Sequence, residues 1–250
     1  MVIIGSILDL IVLGALGRWM LPHVQRFLEA HGQVEPNYKG VSIPRGMGIM
    51  LSMLVWLQEL FLTLISKAFD LLHTAQWSSF FHSIEANFRV YTLAATFIFL
   101  LGWTDDLMGS KVVKGFKGHM RYCKENGTLS MGAVKAIGTL GTAAWLVAVG
   151  RQEQTPIWQM GVGLILVTLS TNTMNLLDVR PGRSLKVFLG VSSAVFVYGC
   201  LVSGIASLFP MIPVCMGGLV LYGTDLKAKG MLGDAGAIYL DLPLVIASSR

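Results

Sequence analysis

Charged residues are scarce in this chain. They make up 13% of its 250 residues, whereas hydrophobic residues make up 54%. A soluble domain carries about a quarter charged residues, and a water-soluble fold of this size could not bury so much apolar surface in one core. The sequence therefore predicts an integral membrane protein. Its net charge of +5 is typical of basic loops beside membrane spans and calls for no nucleic-acid partner.

Cysteine is also scarce. Cys123, Cys200 and Cys215 show neither metal-binding spacing nor an even-numbered disulfide framework, so we expect all three to be structural. The N-terminus lacks the basic region of a signal peptide, and Asp9 interrupts its apolar stretch. This predicts a retained first span at Val2–Leu21 rather than a cleaved leader.

Long apolar runs recur along the whole chain, and each spanning helix needs about 20 such residues. We predict one all-α domain over residues 1–250, a polytopic helical bundle of about eight transmembrane helices. The candidate spans are Val2–Leu21, Gly46–Phe69, Val90–Thr104, Met131–Val149, Ile157–Thr171, Leu185–Phe209, Met211–Tyr222 and Gly236–Ser249. The segment 70–89, with His73 and His82, is predicted to be an amphipathic helix in the outer interface.

Lysine and arginine are distributed unevenly between the loops. If the segment 22–45 is cytoplasmic and the sides alternate, fifteen lie on the cytoplasmic side and four on the other. This is a strong positive-inside bias, so we expect the N-terminus to lie outside.

The first polar cluster is Asp105-Asp106, directly after an apolar run. Adjacent carboxylates at the end of a span repel each other and are poorly solvated there. A divalent cation would relieve this, as would the basic, glycine-broken loop that follows, with Lys114, Lys117 and His119. That loop suits phosphate oxygens. The alternative is that the two acids cap the next helix and pair with those lysines.

The second cluster comprises Asn172, Asn175 and Asp178, which step by three and so share one face of a helix. Their oxygens suit Mg²⁺, ribose or phosphate contacts. Arg180 and Arg183 follow, and we expect them to hold phosphate. The alternative is a polar helix end closed by the Pro-Gly pair at 181–182.

Two further clusters are weak signals alone. Asp234 lies in a Gly-Asp-x-Gly turn, and Lys39 lies in a Pro- and Gly-rich loop, residues 37–48, that leads into the second span. All four clusters fall on the predicted cytoplasmic side. Carboxylates, amides and cations around one membrane face are what a Mg²⁺-dependent phosphoryl-transfer site requires.

The order of these motifs resembles the polyprenyl-phosphate N-acetylhexosamine-1-phosphate transferases. The motifs are Lys-Gly-x-x-Ile-Pro-x-Gly-x-Gly, then Asp-Asp, then Asn-x-x-Asn-x-x-Asp, then Gly-Asp-x-Gly. Such enzymes transfer a sugar 1-phosphate from a UDP-sugar to a polyprenyl phosphate, release UMP and use Mg²⁺, for cell-wall or surface-glycan synthesis. The resemblance therefore implies a multi-pass cell-membrane enzyme with its active site facing the cytoplasm. The implied partners are the lipid and the nucleotide sugar, with a second copy of the chain as a further candidate.

The resemblance also implies roles for matched residues. Asp105 and Asp106 would form the carboxylate pair near the metal and the lipid phosphate, one of them acting as a base and Asp106 also touching the metal. Asp234 would be a direct Mg²⁺ ligand and Lys39 a phosphate-binding cation. The nucleotide and metal site would be lined by Asn172, Asn175 and Asp178.

Two departures from the family pattern affect these expectations. Many members follow the second motif with another carboxylate, whereas Asp178 here is followed by Val-Arg-Pro-Gly-Arg. The family also continues beyond Gly-Asp-x-Gly with further spans, which this chain is expected to lack. A non-catalytic relative that binds lipid phosphate or a nucleotide sugar is therefore the alternative function, and a transporter is a third.

Overall fold

A computed structural model describes residues 2–108, 115–150, 156–202 and 209–240. These residues form helices joined by short connections, with a single two-stranded sheet. The elements in chain order are α1 (Val2–Ala30), β1 (Val34–Pro36), β2 (Ser42–Pro44), α2 (Gly48–Leu71), α3 (Ala75–Met108), α4 (Gly115–Asn126), α5 (Met131–Val149), α6 (Ile157–Leu177), α7 (Arg183–Val202), α8 (Met211–Leu226) and α9 (Gly233–Tyr239). The predicted helical architecture is confirmed.

Five of the described helices, α1, α2, α3, α5 and α6, are long and apolar enough to cross a membrane. The prediction of about eight is too high for the described residues. The α8 helix has 16 residues and reaches about 24 Å, less than the roughly 30 Å of a hydrocarbon core. Of the last expected span, Gly236–Ser249, the structure describes only the part within α9 and Leu240.

The predicted interfacial helix over residues 70–89 is wrong. The α2 helix continues to Leu71, and Ala75 begins a single 34-residue helix, α3. His82 lies on this helix and contacts Asp70 of α2 at 3.0 Å. Residues 75–89 are therefore the first part of α3, which packs against α2 as a helical hairpin.

Polar side chains of α2 and α3 pair with one another, which explains why residues 75–89 continue into the rest of α3 as one helix. Glu85 accepts a hydrogen bond from the Ser66 hydroxyl at 2.5 Å, and Arg89 pairs with Glu59 at 3.2 Å. These groups satisfy one another between the two helices. A sequence pattern that appears amphipathic is thus the polar side of a helix–helix contact.

The short helix α9 packs directly on the backbones of α2 and α3. A Cβ atom on Gly102 would lie 2.5 Å from the Cα of Ala235, and Gly48 and Gly236 are also too close for a Cβ. The buried core lies around this contact and includes Leu51, Leu54, Phe88, Ile98, Val214 and Tyr239. Glycine at these positions fixes where α9 begins.

The segment 37–48, predicted to be a loop that leads into the second span, contains the turn and the second strand of a β-hairpin formed by β1 and β2 and ends where α2 begins. Asn37 closes the turn, since its side-chain oxygen accepts hydrogen bonds from the backbone of Lys39 and Val41. Beyond the hairpin, the N–H of Met231 donates to the carbonyl of Pro44 at 2.7 Å. These contacts hold the loop against the segment that precedes α9.

Candidate active site

Asp106 joins three segments at one end of the bundle, which we call the site end. Its carboxylate accepts hydrogen bonds from the backbone N–H groups of Asp234 and Ala235, both at 3.0 Å, and pairs with Arg45 at 2.8 Å. The Asp106 side chain is only 2% exposed. This acid therefore fixes the start of α9 and the end of the hairpin loop relative to α3.

The close approach of Asp106 to the start of α9 requires glycine at position 233. Its φ is +76°, a left-handed conformation that side chains disfavour. A Cβ there would also lie 2.7 Å from the Oδ2 of Asp106. The first glycine of the Gly-Asp-x-Gly motif is thus required by both backbone conformation and the approach of Asp106.

Asp105 and Asp234 lie on either side of Lys135. The Nζ of Lys135 donates to Asp234 Oδ2 at 2.6 Å and to Asp105 Oδ2 at 3.3 Å. Burial acts to raise the pKa of Asp234, but the hydrogen bond with Asp105 and the ammonium of Lys135 together lower it. Asp234 therefore remains a carboxylate at neutral pH.

A cleft of about 280 Å³ opens beside Asp234. The cleft lies between the β-hairpin, the turn after α6 and the segment that runs from the end of α8 to α9. Its charged lining residues are Glu35, Arg45, Asp178, Arg180, Asp225 and Asp234. Acids and guanidinium groups in one concave site can bind a ligand that carries both phosphate and a cation.

Asp178 follows the last residue of α6 and lines this cleft. Burial raises its pKa to about 7, and the negative charges of Asp225, Asp234 and Asp106 contribute to the rise. The Ser184 hydroxyl, which donates to Asp178 at 2.6 Å, acts in the opposite direction. Asp178 is therefore close to half-protonated at neutral pH.

The structure gathers some of the predicted residues and separates others. Two groups of predicted residues lie together. The cleft is lined by Asp178, Arg180 and Asp234, and beside it lies an acid cluster formed by Asp105, Asp106 and Asp234. Lys39 is exposed with its ammonium 5.4 Å from the Tyr38 ring and does not line the cleft, and the exposed Arg183 does not line it either.

The remaining predicted residues lie elsewhere at the site end or outside the description. Asn175 is half-buried near the end of α6, and Lys117 is exposed on α4. His119 contacts the Ser130 hydroxyl at 2.7 Å, next to the start of α5. Lys114 and the side chain of Asn172 lie outside the described residues, so the predicted common face of residues 172, 175 and 178 stays a prediction.

Sequence reasoning did not single out three residues of this site: Arg45, Lys135 and Asp225. Each carries a charge near the end of an apolar helix, which is also the usual signature of a membrane interface. Asp225 is buried and accepts a hydrogen bond from the backbone N–H of Gly182 at 2.7 Å. A lone lysine one turn inside α5 was the available signal for Lys135.

Among the described residues, no group of three or more His, Cys, Asp or Glu side chains is arranged to hold a metal ion. Both oxygens of Asp106 already accept hydrogen bonds from the chain. The other carboxylates that line the cleft are those of Glu35, Asp178, Asp225 and Asp234. A metal there would need most of its ligands from a bound molecule or water.

No protein-family model matches this chain, and no curated protein matches it.

Removing the two neighbouring acids should have unequal effects on stability. Asp106→Ala would leave two backbone N–H groups without acceptors and Arg45 with one fewer carboxylate, so we expect a loss of about 3 kcal/mol. Asp105→Ala should cost about 1 kcal/mol or less, because Lys135 keeps Asp234. Unfolding temperatures in detergent measure both. Equal losses would show that Asp106 does not hold α9 in place.

The raised pKa of Asp178 predicts a pH-dependent stability. Between the ordinary aspartate pKa near 3.8 and about 7, the folded chain keeps a proton that the unfolded chain has lost. Folding stability should therefore fall as pH rises through this interval. The unfolding temperature of Asp178→Asn should therefore decrease less than that of the wild-type protein when the pH is raised from about 5 to about 8. Identical pH profiles for the two proteins would contradict this assignment.

Proposed function

We propose that this protein is a membrane glycosyl-1-phosphate transferase, which moves a sugar 1-phosphate from a UDP-sugar to a polyprenyl phosphate. The observation that supports this most strongly is the convergence of distant motifs. Residues 45, 105–106, 135, 178–180 and 234 come from separate helices and loops, yet they meet around one cleft and acid cluster at the site end.

In the proposed reaction, an oxygen of the lipid phosphate attacks the phosphorus that bears the sugar. The bond from that phosphorus to the bridging oxygen breaks, and UMP leaves with that oxygen. The attacking phosphate is already anionic at neutral pH, so the reaction does not depend on a strong base. The protein's task is to orient two anions and offset their mutual repulsion.

The charged residues divide this task. Arg180 and Arg45 line the cleft and would hold phosphate oxygens. Lys135, between Asp105 and Asp234, would turn toward the transferred phosphate when it enters. Asp105 would act on the lipid phosphate once Lys135, which binds it at 3.3 Å, has turned away, whereas Asp106 positions α9.

A magnesium ion fits this site when it arrives with the diphosphate. Mg²⁺ is commonly held by one or two carboxylates together with substrate phosphates and water, and Asp234 and Asp178 line the same cleft. These two residues would hold the ion. When bound, the ion would supply neutralisation of the diphosphate charge. Asp106 is left out, because its oxygens are already engaged by the chain.

A non-catalytic binding protein is the second candidate. Asp105, Asp106 and Asp234 each already bind a cation of the chain, an arrangement that is also suited to recognition without turnover. Such a protein would bind lipid phosphate or a nucleotide sugar at the same cleft. Binding without transfer would distinguish it from the enzyme.

A transfer assay on purified protein tests the proposed function. Polyprenyl phosphate, Mg²⁺ and a panel of radiolabelled UDP-sugars are combined, and label in lipid is followed together with UMP. We expect transfer of one sugar with matching UMP. Asp105→Asn and Asp234→Asn should each lower the rate by about 100-fold or more.

Asp70→Asn is the matched control for these variants. Asp70 lies near the opposite end of the α2–α3 hairpin, beside Ser78 and His82, so its substitution should leave the transfer rate unchanged. If no sugar is transferred by the wild-type protein but UDP-sugar binds, the non-catalytic candidate replaces the enzyme. Full activity of Asp234→Asn would remove the role assigned to that residue.

A further inference from the structure

The helix α4 has two different faces. Gly118, His119, Tyr122 and Cys123 are half-buried, and the imidazole of His119 contacts the Ser130 hydroxyl at the start of α5. The opposite face is exposed and carries Lys117, Met120, Arg121 and Lys124, with the exposed Glu125 at its edge. Their spacing of i, i+3, i+4 and i+7 places all four on one side of the helix.

Among the described residues, the cations of this outer face have no ion-pair partner. No ion pair with any residue that the structure describes is formed by Lys117, Arg121 or Lys124. Met120 is 59% exposed between them. A face with three unpaired cations around an exposed apolar side chain is typical of a helix lying at a membrane surface.

The position of α4 in the fold agrees with this. It lies between the end of α3 and the start of α5, two of the helices long enough to cross a membrane. Because both neighbours reach the site end, α4 is held near the level where their apolar stretches meet lipid head groups. At that level of a bilayer, anionic phospholipid head groups attract basic segments.

We propose that the outer face of α4, formed by Lys117, Met120, Arg121 and Lys124, docks on anionic phospholipid head groups at the site end of the bundle. The three cations contact the lipid phosphates, and Met120 inserts among the upper acyl carbons. This face binds the bulk leaflet rather than the reacting lipid. The proposal requires the chain to span a membrane but does not depend on catalysis.

Hydrogen–deuterium exchange on the full chain in nanodiscs tests this. The nanodiscs contain phosphatidylcholine alone or an equal mixture with phosphatidylglycerol. We expect the α4 backbone amides to exchange about tenfold more slowly in the anionic discs. High salt should remove most of this protection in the wild-type protein, because exposed charges are screened.

A triple variant identifies the residues. Lys117→Gln with Arg121→Gln and Lys124→Gln should abolish the added protection, whereas the control Lys227→Gln with Lys229→Gln, exposed cations after α8, should retain it. Equal exchange in both disc types, or protection that survives in the triple variant, would overturn the proposal. Protection that appears only when polyprenyl phosphate is added to phosphatidylcholine discs would also overturn it, by assigning the face to the reacting lipid.

Discussion

The ion pair and hydrogen bonds of Asp106 are the constraint on which the rest of the site depends. One buried carboxylate binds Arg45 from the hairpin loop and two backbone N–H groups from the start of α9. The backbone of α9 also lies in direct contact with the backbone at Gly48 and Gly102. A shift of Asp106 would therefore move Asp234. The chemistry-bearing residues thus rely on an acid that is itself engaged in holding the fold.

The acids at the site end coexist because cations and neutral forms separate their charges. Lys135 lies between Asp105 and Asp234, and Arg45 offsets Asp106. Asp178 has no cation in direct contact among the residues that the structure describes, and burial raises its pKa to about 7. A bound phosphate or metal ion would redistribute these charges, and this is how a cleft rich in acids would accept the proposed anionic substrate.

Much of the helical framework was predictable from apolar runs alone. The bounds of α5, Met131–Val149, follow from the sequence, because Lys135 is the only charged residue in the apolar run and polar residues flank it. The segment 70–89 was not predictable, since its polar residues are satisfied by α2 and hydropathy cannot identify such a partner. Of the site, the acidic motifs were visible in the sequence, but Lys135 and Arg45 were not. Their roles depend on contacts with residues at least 30 positions away.

The most direct test of the central claim is exchange of label between UMP and a UDP-sugar. Purified protein is incubated with Mg²⁺, polyprenyl phosphate, unlabelled UDP-sugar and radiolabelled UMP. The proposed transfer breaks one phosphoanhydride bond and forms another, so it should run in both directions. Label from UMP should therefore enter the UDP-sugar only when the lipid is present. Absence of labelled UDP-sugar across the panel of sugars, with folded protein and all components present, would contradict the assignment of this site to sugar-phosphate transfer.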